Sequence, residues 1–290
     1  MNDAGLAMEA VAGMTAASDA APIAPPGARR RPRPHTRISD EPAFVLHSYP
    51  YKETSLIVDA LTRHHGRVAL VARGAKRPRS ALRGILLAFQ PLTLGWTGGR
   101  ARAIAHDTSG GDLRTLTRAE WMGGVRPLRG DALLSGFYLN ELLLKLVARD
   151  DAHEALFDAY LRAVAALAED HPAAPVLRAF EVALLRETGY ALRLTQSTDG
   201  APIETAGIYR YVAEHGPVRV DNTAKKANNI DAGDACFVGK TLLDIDAGDY
   251  ADPVTAGESK HLMRRLLNHH LAGQILHTRR MAIDLFRTYP

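Results

Sequence analysis

The densest concentration of one chemistry in this sequence is Arg73-Gly-Ala-Lys-Arg-Pro-Arg-Ser-Ala-Leu-Arg83, with five cations and no carboxylate in 11 residues. Gly74 and Pro78 keep the stretch out of regular structure, so Arg73, Lys76, Arg77, Arg79 and Arg83 stand on a loop. Cations presented in this way bind phosphates by charge and counterion release, and need neither a nucleophile nor a metal. Lys52, Arg63 and Arg67 lie close by in sequence and are weaker candidates for the same role. A charge run alone equally describes a solvated surface loop. The flanking elements must decide.

Three other constellations invite chemical readings and fail on spacing. Gly233 to Thr241, GDACFVGKT, resembles a nucleotide phosphate loop, but five residues separate its glycines where four are required. It also lacks a clear preceding strand. The pairs His64-His65 and His269-His270 are adjacent, so their rings point to different faces and do not make a helical zinc site. Asp107-Thr108-Ser109-Gly110 places a hydroxyl near an acid without the strand and helix that frame a nucleophile elbow.

The elements around the basic loop read as strands. Phe44-Val45-Leu46 is an apolar run broken by Pro50. From Ser55 to Thr62, Leu56, Val58 and Ala60 alternate with Ile57, Asp59 and Leu61. Arg63-His-His-Gly66 is a turn in which Gly66 can take a positive φ. From Arg67 to Arg73, Val68, Leu70 and Ala72 alternate with Ala69 and Val71. A two-faced pattern of this kind suits a small closed barrel, and such barrels bind oligonucleotides along a strand face and adjoining loops. Phe89–Thr97 supplies a further strand that turns at Gly98-Gly99, before an irregular stretch to Gly111.

Helical periodicity takes over beyond Gly123-Gly124 and Pro127. Leu134, Phe137, Tyr138, Leu142 and Leu146 share one stripe over about 131–149. A second helix is expected over 153–169, and a third from Pro175 to Gly189. The segment from Thr195 to about Asp252 is irregular, and a last helix follows Thr255-Ala-Gly-Glu258, which has capping-box spacing. Gly273 can stop that helix, and Thr278–Arg287 adds a final turn or two.

Composition narrows the classes further. The 290 residues carry 36 Lys and Arg against 32 Asp and Glu, a net charge of +4, so any affinity for nucleic acid rests on clustering of charge. One cysteine, Cys236, excludes an internal disulfide framework and any multi-cysteine zinc site. No apolar run approaches the roughly 20 residues needed to span a bilayer. Residues 1–40 are rich in Ala, Gly and Pro, end in arginines and read as a disordered tail rather than a signal peptide.

AFVLHS, KETSLIVD, the T-x-x-x-G-R turn at Thr62–Arg67, VARGAKRPRS and FQPL stand in an order that resembles the N-terminal domain of the RecO family of bacterial recombination mediators. LLSGFYLNELL, LRAFEVALLRETGYALRL and HLAGQILHTRRMAIDLF are similar to its helical domain and C-terminus, so the likeness spans roughly 43–287 with an insertion at ARAIAHDTSGG. The resemblance implies an α+β protein: an OB-fold β-barrel over about 41–120, then a mainly α-helical domain over 121–290 with an irregular segment at about 195–255. It implies DNA repair and homologous recombination: single-stranded DNA binding, strand annealing and, with RecR, loading of RecA onto DNA coated with single-stranded DNA-binding protein (SSB). It also implies a cytoplasmic, nucleoid-associated protein that is not an enzyme and needs no cofactor.

In part of that family four cysteines in the irregular segment bind zinc. Here Gln196 and Ser197 stand where a first ligand would fall, so a zinc-less member held by packing is expected. LRAFE matches the family's helix for the acidic, Phe-terminated SSB tail, which puts Arg178 forward as the cation for its carboxylate. Two other readings remain beside this one. One is a general single-stranded nucleic-acid-binding barrel without recombination partners, and the other is a hydrolase or nuclease with an unrecognised site.

Overall fold

The computed structural model describes residues 37–101, 113–190, 192–220 and 235–281. The residues 1–36, the centre of the expected insertion and the Asp107-Thr108-Ser109-Gly110 motif lie outside the described residues.

Five strands, β1 (Arg37–Tyr51), β2 (Ser55–Thr62), β3 (Gly66–Ala72), β4 (Pro91–Ala101) and β5 (Leu113–Trp121), close into a barrel in the order β1-β2-β3-β5-β4. Alternation decides which side chains fill it. Val45, Val58, Ala60, Val68, Leu70 and Ala72 point inward, while Phe44, Leu46 and Leu61 on the outer face join the helical core. One sequence therefore serves two cores, as the two-faced pattern predicts. β1 starts inside the stretch expected to be tail and runs through Pro50, which pairs with Leu56. β4 likewise continues past Gly98-Gly99 to Ala101 rather than turning there.

The short helix α1 (Leu82–Ile85) follows the basic loop, and α2 (Gly130–Leu146), α3 (Glu154–Ala168) and α4 (Ala173–Glu187) follow the barrel. The register slips between Val45 and His47, and the side-chain amide of Asn140 on α2 donates to the Leu46 carbonyl at 2.9 Å. The Tyr160 hydroxyl donates to the Asn140 amide oxygen at 2.6 Å, and the Phe44 ring lies edge-on to Tyr160 with centroids 5.0 Å apart. The buried amide is satisfied on both sides. In the turn between β2 and β3, Gly66 has φ +66°, and a Cβ there would lie 2.0 Å from the Asp151 carbonyl oxygen. Only glycine meets both demands.

The segment expected to be irregular contains a three-stranded antiparallel sheet, β7 (Gly216–Arg219), β6 (Ile208–Val212) and β8 (Cys236–Val238), followed by α5 (Gly239–Ala247). Tyr209, Tyr211 and Phe237 fill its buried face. The Tyr209 and Tyr211 hydroxyls accept from the backbone N–H groups of Glu204 and Arg193 at 2.9 and 3.1 Å. Strands of three to five residues are too short to show period-2 alternation on their own. The last long helix, α6 (Pro253–His270), is capped by Asp252, whose carboxylate accepts from the Val254 N–H at 2.8 Å. Glu258, expected to complete a capping box, instead accepts from the Val238 N–H at 3.0 Å and the Thr241 hydroxyl at 2.6 Å. No helix among the described residues is long and apolar enough to cross a membrane.

Candidate nucleic-acid interface

The basic loop is built, not slack. Ala75, 1% exposed, plugs into the barrel core beside Leu86. The Lys76 N–H donates to the Thr54 carbonyl at 2.9 Å, which ties the loop to the β1–β2 turn. Tight turns follow, with Arg77 N–H to Gly74 O at 3.0 Å and Ser80 N–H to Arg77 O at 3.0 Å. Gly74 takes φ +69° and Arg77 folds across it. Arg73, Lys76, Arg77, Arg79 and Arg83 are all exposed. Lys52, in the turn that the loop is pinned to, rests its ammonium 5.3 Å from the centre of the Tyr51 ring. Among the described residues none of these six cations has a carboxylate partner. Uncompensated like charges at one barrel end create the field that a polyanion neutralises.

Arg63 and Arg67 stand at the opposite end. Arg63 holds Asp158 of α3 through two parallel bonds at 2.6 and 3.0 Å and lies over the Phe157 ring. Arg67, 12% exposed at its side chain, faces buried Asp59 at 3.9 Å, which Arg149 also approaches at 3.3 Å. The Arg67 carbonyl accepts from the Asp150 N–H at 3.0 Å. Bidentate and buried pairs of this kind fasten the barrel to the helices. The structure thus brings Lys52 together with the loop and does not bring Arg63 or Arg67 there.

A second feature lies on the helices. Leu134, Leu177, Arg178, Lys260, Arg264 and Arg279 line a groove of about 450 Å³. Arg178 is held in place: its Nη2 meets Glu181 Oε1 at 2.5 Å, and the Tyr138 hydroxyl donates to the same oxygen at 2.6 Å. Glu181 is fully buried, and burial pushes its carboxyl above the usual carboxylate range although Arg178 and Tyr138 oppose the shift. The turn carrying Arg279 is anchored by Glu141, which accepts from the His277 and Thr278 N–H groups at 2.8 and 2.9 Å.

Both parts of this architecture match one family. The model described as Recombination protein O N terminal matches residues 37–124, and Recombination protein O C terminal matches 128–280. The chain belongs to the recombination protein O family. A "DNA repair protein RecO" of Ralstonia nicotianae is 51% identical over 253 residues, 87% of each chain. Relatives of that name from Burkholderia pseudomallei and Aromatoleum aromaticum are 49% and 48% identical, the first over 91% of this chain and 92% of its own, the second over 86% and 97%. The resemblance in the short motifs of the barrel and helices is thus a family relationship across both, and the family is one of DNA repair and recombination proteins.

The sequence put Arg178 forward, and the structure adds neighbours that the sequence reading did not name. Lys260 and Arg264 stand one turn apart on α6, a basic spacing visible in the sequence, yet only the packing of α6 on α4 brings them to Arg178. The other constellations are differently employed. His64 and His65 both face buried Glu41, at 3.1 and 3.8 Å, and His270 stacks on Tyr190. Among the described residues no group of three or more His, Cys, Asp or Glu could hold a metal ion. β8 does precede Gly239, contrary to expectation, but Lys240 is paired with Asp244 and Asp252. A Cβ at Gly239 would lie 2.0 Å from the Glu204 carbonyl oxygen, so that glycine serves packing.

Proposed function

We propose that this protein binds single-stranded DNA at the barrel end formed by Arg73, Lys76, Arg77, Arg79, Arg83 and Lys52, and anneals complementary strands there. The observation that carries this reading is the set of exposed cations without carboxylate partners among the described residues, fixed on a loop pinned to the barrel. A surface that neutralises phosphates lowers the repulsion between two strands, and base pairing does the rest. No bond is made or broken in such a step, so the reading is of a mediator, not an enzyme, and it requires no cofactor.

The barrel, about 41–120, is the DNA module in this reading, and the helical part, 121–290, is the partner module. Its groove suits the acidic, Phe-terminated tail of SSB: Leu134 and Leu177 offer apolar walls for the ring, and Arg178, Lys260, Arg264 and Arg279 offer cations for carboxylates. With RecR, the protein then helps RecA load onto SSB-coated DNA in the cytoplasm, at the nucleoid. The test is annealing of complementary oligonucleotides, naked and SSB-coated. Acceleration in both cases is expected. Acceleration of naked strands alone would leave a general single-strand-binding barrel, and acceleration of neither would overturn the proposal.

A further inference from the structure

Apart from the basic loop and the groove at Arg178, the surface carries an exposed aromatic patch between barrel and helices. Trp121, Leu87 and Phe137 are 62%, 51% and 42% exposed, although they are among the largest apolar side chains in the protein. They rim a hollow of about 470 Å³ floored by Phe89, Leu128 and Leu133. Both exposed rings are fixed. The Trp121 indole N–H donates to the Gln90 side-chain oxygen at 3.2 Å, and Phe137 meets Phe89 edge-on with centroids 5.1 Å apart. The floor is tightly built, since a Cβ at Gly136 would lie 2.7 Å from Leu128 and 2.8 Å from the Phe89 ring.

Exposed arginines border the hollow, and of the nearby carboxylates Glu120 is engaged by Arg118. α1, which contributes Gly84 and Ile85 to one wall, continues directly from the basic loop and carries exposed Arg83. Arg126 and Arg129, also exposed, flank the wall residues Pro127 and Leu128. No carboxylate lines the hollow, and among the described residues neither of these two arginines has a carboxylate partner. Flat immobilised rings beside a cationic track are what an unpaired polynucleotide requires, because its bases offer π-faces and its backbone offers phosphates.

We propose that the hollow between α1, β5 and α2 takes unpaired nucleobases of the strand held by the basic loop, with Trp121 and Phe137 as the stacking surfaces. This rests on the reading of that loop as a DNA contact. Stacking adds affinity that salt barely touches, whereas the loop cations set the salt dependence.

The protein has two tryptophans, and the other, Trp96, is 2% exposed inside the barrel. Titrating the full-length protein with an oligothymidylate should therefore quench the Trp121 emission. In Trp121→Phe, which retains Trp96 alone, the quench should vanish. Trp121→Ala should weaken binding on the order of 5- to 150-fold at fixed salt, leaving the slope of log K against log salt unchanged. Oligonucleotide binding with a normal slope but no quench, and with unchanged affinity in Trp121→Ala, would overturn the stacking site while leaving the loop contact intact. No oligonucleotide binding at all would overturn both. A quench produced by an acidic peptide and not by the oligonucleotide would assign the hollow to a protein partner instead.

Discussion

Arg178 and Glu181 stand one turn apart on α4, joined at 2.5 Å, with the carboxylate sealed in the core and the guanidinium lining the groove. The buried acid positions the cation that a ligand would meet. Arg178→Ala should cost on the order of 1.5–3 kcal/mol of affinity for an SSB tail peptide and leave naked-DNA binding nearly intact. It should also lower stability, because Glu181 loses its counter-ion. Arg178→Ala with Glu181→Gln should recover the melting temperature without recovering the peptide. If the single variant binds the peptide like the native protein, Arg178 is not the contact.

Reversing Lys76, Arg77 and Arg79 to Glu tests the loop. Each lost phosphate contact should reduce the slope of log K against log salt by about 0.7 for a single strand. A folded triple variant with the native slope would show that the loop does not touch DNA. Arg63→Ala, by contrast, breaks the bond to Asp158 and should lower the melting temperature while the slope stays the same.

Gly66 joins a positive φ to a backbone contact with Asp151. Gly66→Ala should cost on the order of 1–3 kcal/mol from the backbone conformation alone, with the clash adding to it. In a protein of this size that lowers the melting temperature by about 2–4 °C per kcal/mol. A calorimetric scan indistinguishable from the native one would contradict the geometry.

Glu141 supplies a pH dependence. Burial works against its ionisation, but hydrogen bonds from Thr278 and His277 and its contact with Lys145 hold the carboxyl below its ordinary value. The sign follows from that depression. The stabilisation is fully present above the unfolded value, about pH 4.3, and is lost as pH falls through the lower folded one. Glu141→Gln should reduce stability at neutral pH and flatten that part of the acid limb. An unchanged melting profile against pH would exclude the linkage.

Metal removal should have no effect on the fold. With Cys236 as the sole thiol, β6, β7 and β8 are held by Tyr209, Tyr211 and Phe237, and Ser197, where a thiolate would stand, bonds to the Ala201 carbonyl at 3.0 Å. A chelator should leave the melting temperature unchanged, and elemental analysis should find no stoichiometric zinc. One tightly bound zinc per chain would mean that His and Asp replace thiolates.

Much of this was legible in the sequence. Period-2 alternation in Ser55–Thr62 and Arg67–Ala72 marks residues for two opposite faces, and the structure fills the barrel with one set and backs the other against helices or neighbouring strands. The apolar stripes of α3 and α4 needed only the 3.6-residue period, whereas on α2 the stripe through Leu134 and Phe137 faces outward and Leu139, Leu142 and Leu143 make the core. The basic loop announced itself by composition, and the order of short motifs disclosed the family. These are local signals, written in residues a few positions apart.

Tertiary structure decided what each charge is for. Arg63 and Arg67 differ from Arg73 and Lys76 in nothing that spacing can show, yet the first two meet Asp158 and Asp59 while the others meet solvent. Nothing in the spacing of α2 sets Asn140 apart, yet beside the slip in β1 its amide satisfies the Leu46 carbonyl. Glu258 had the spacing of a cap, but the Thr241 hydroxyl and the Val238 N–H, which the fold packs against it, claimed its carboxylate. Periodicity says which face a side chain takes. Its partner is set by long-range packing, since buried polar groups bond to whatever the fold brings within reach.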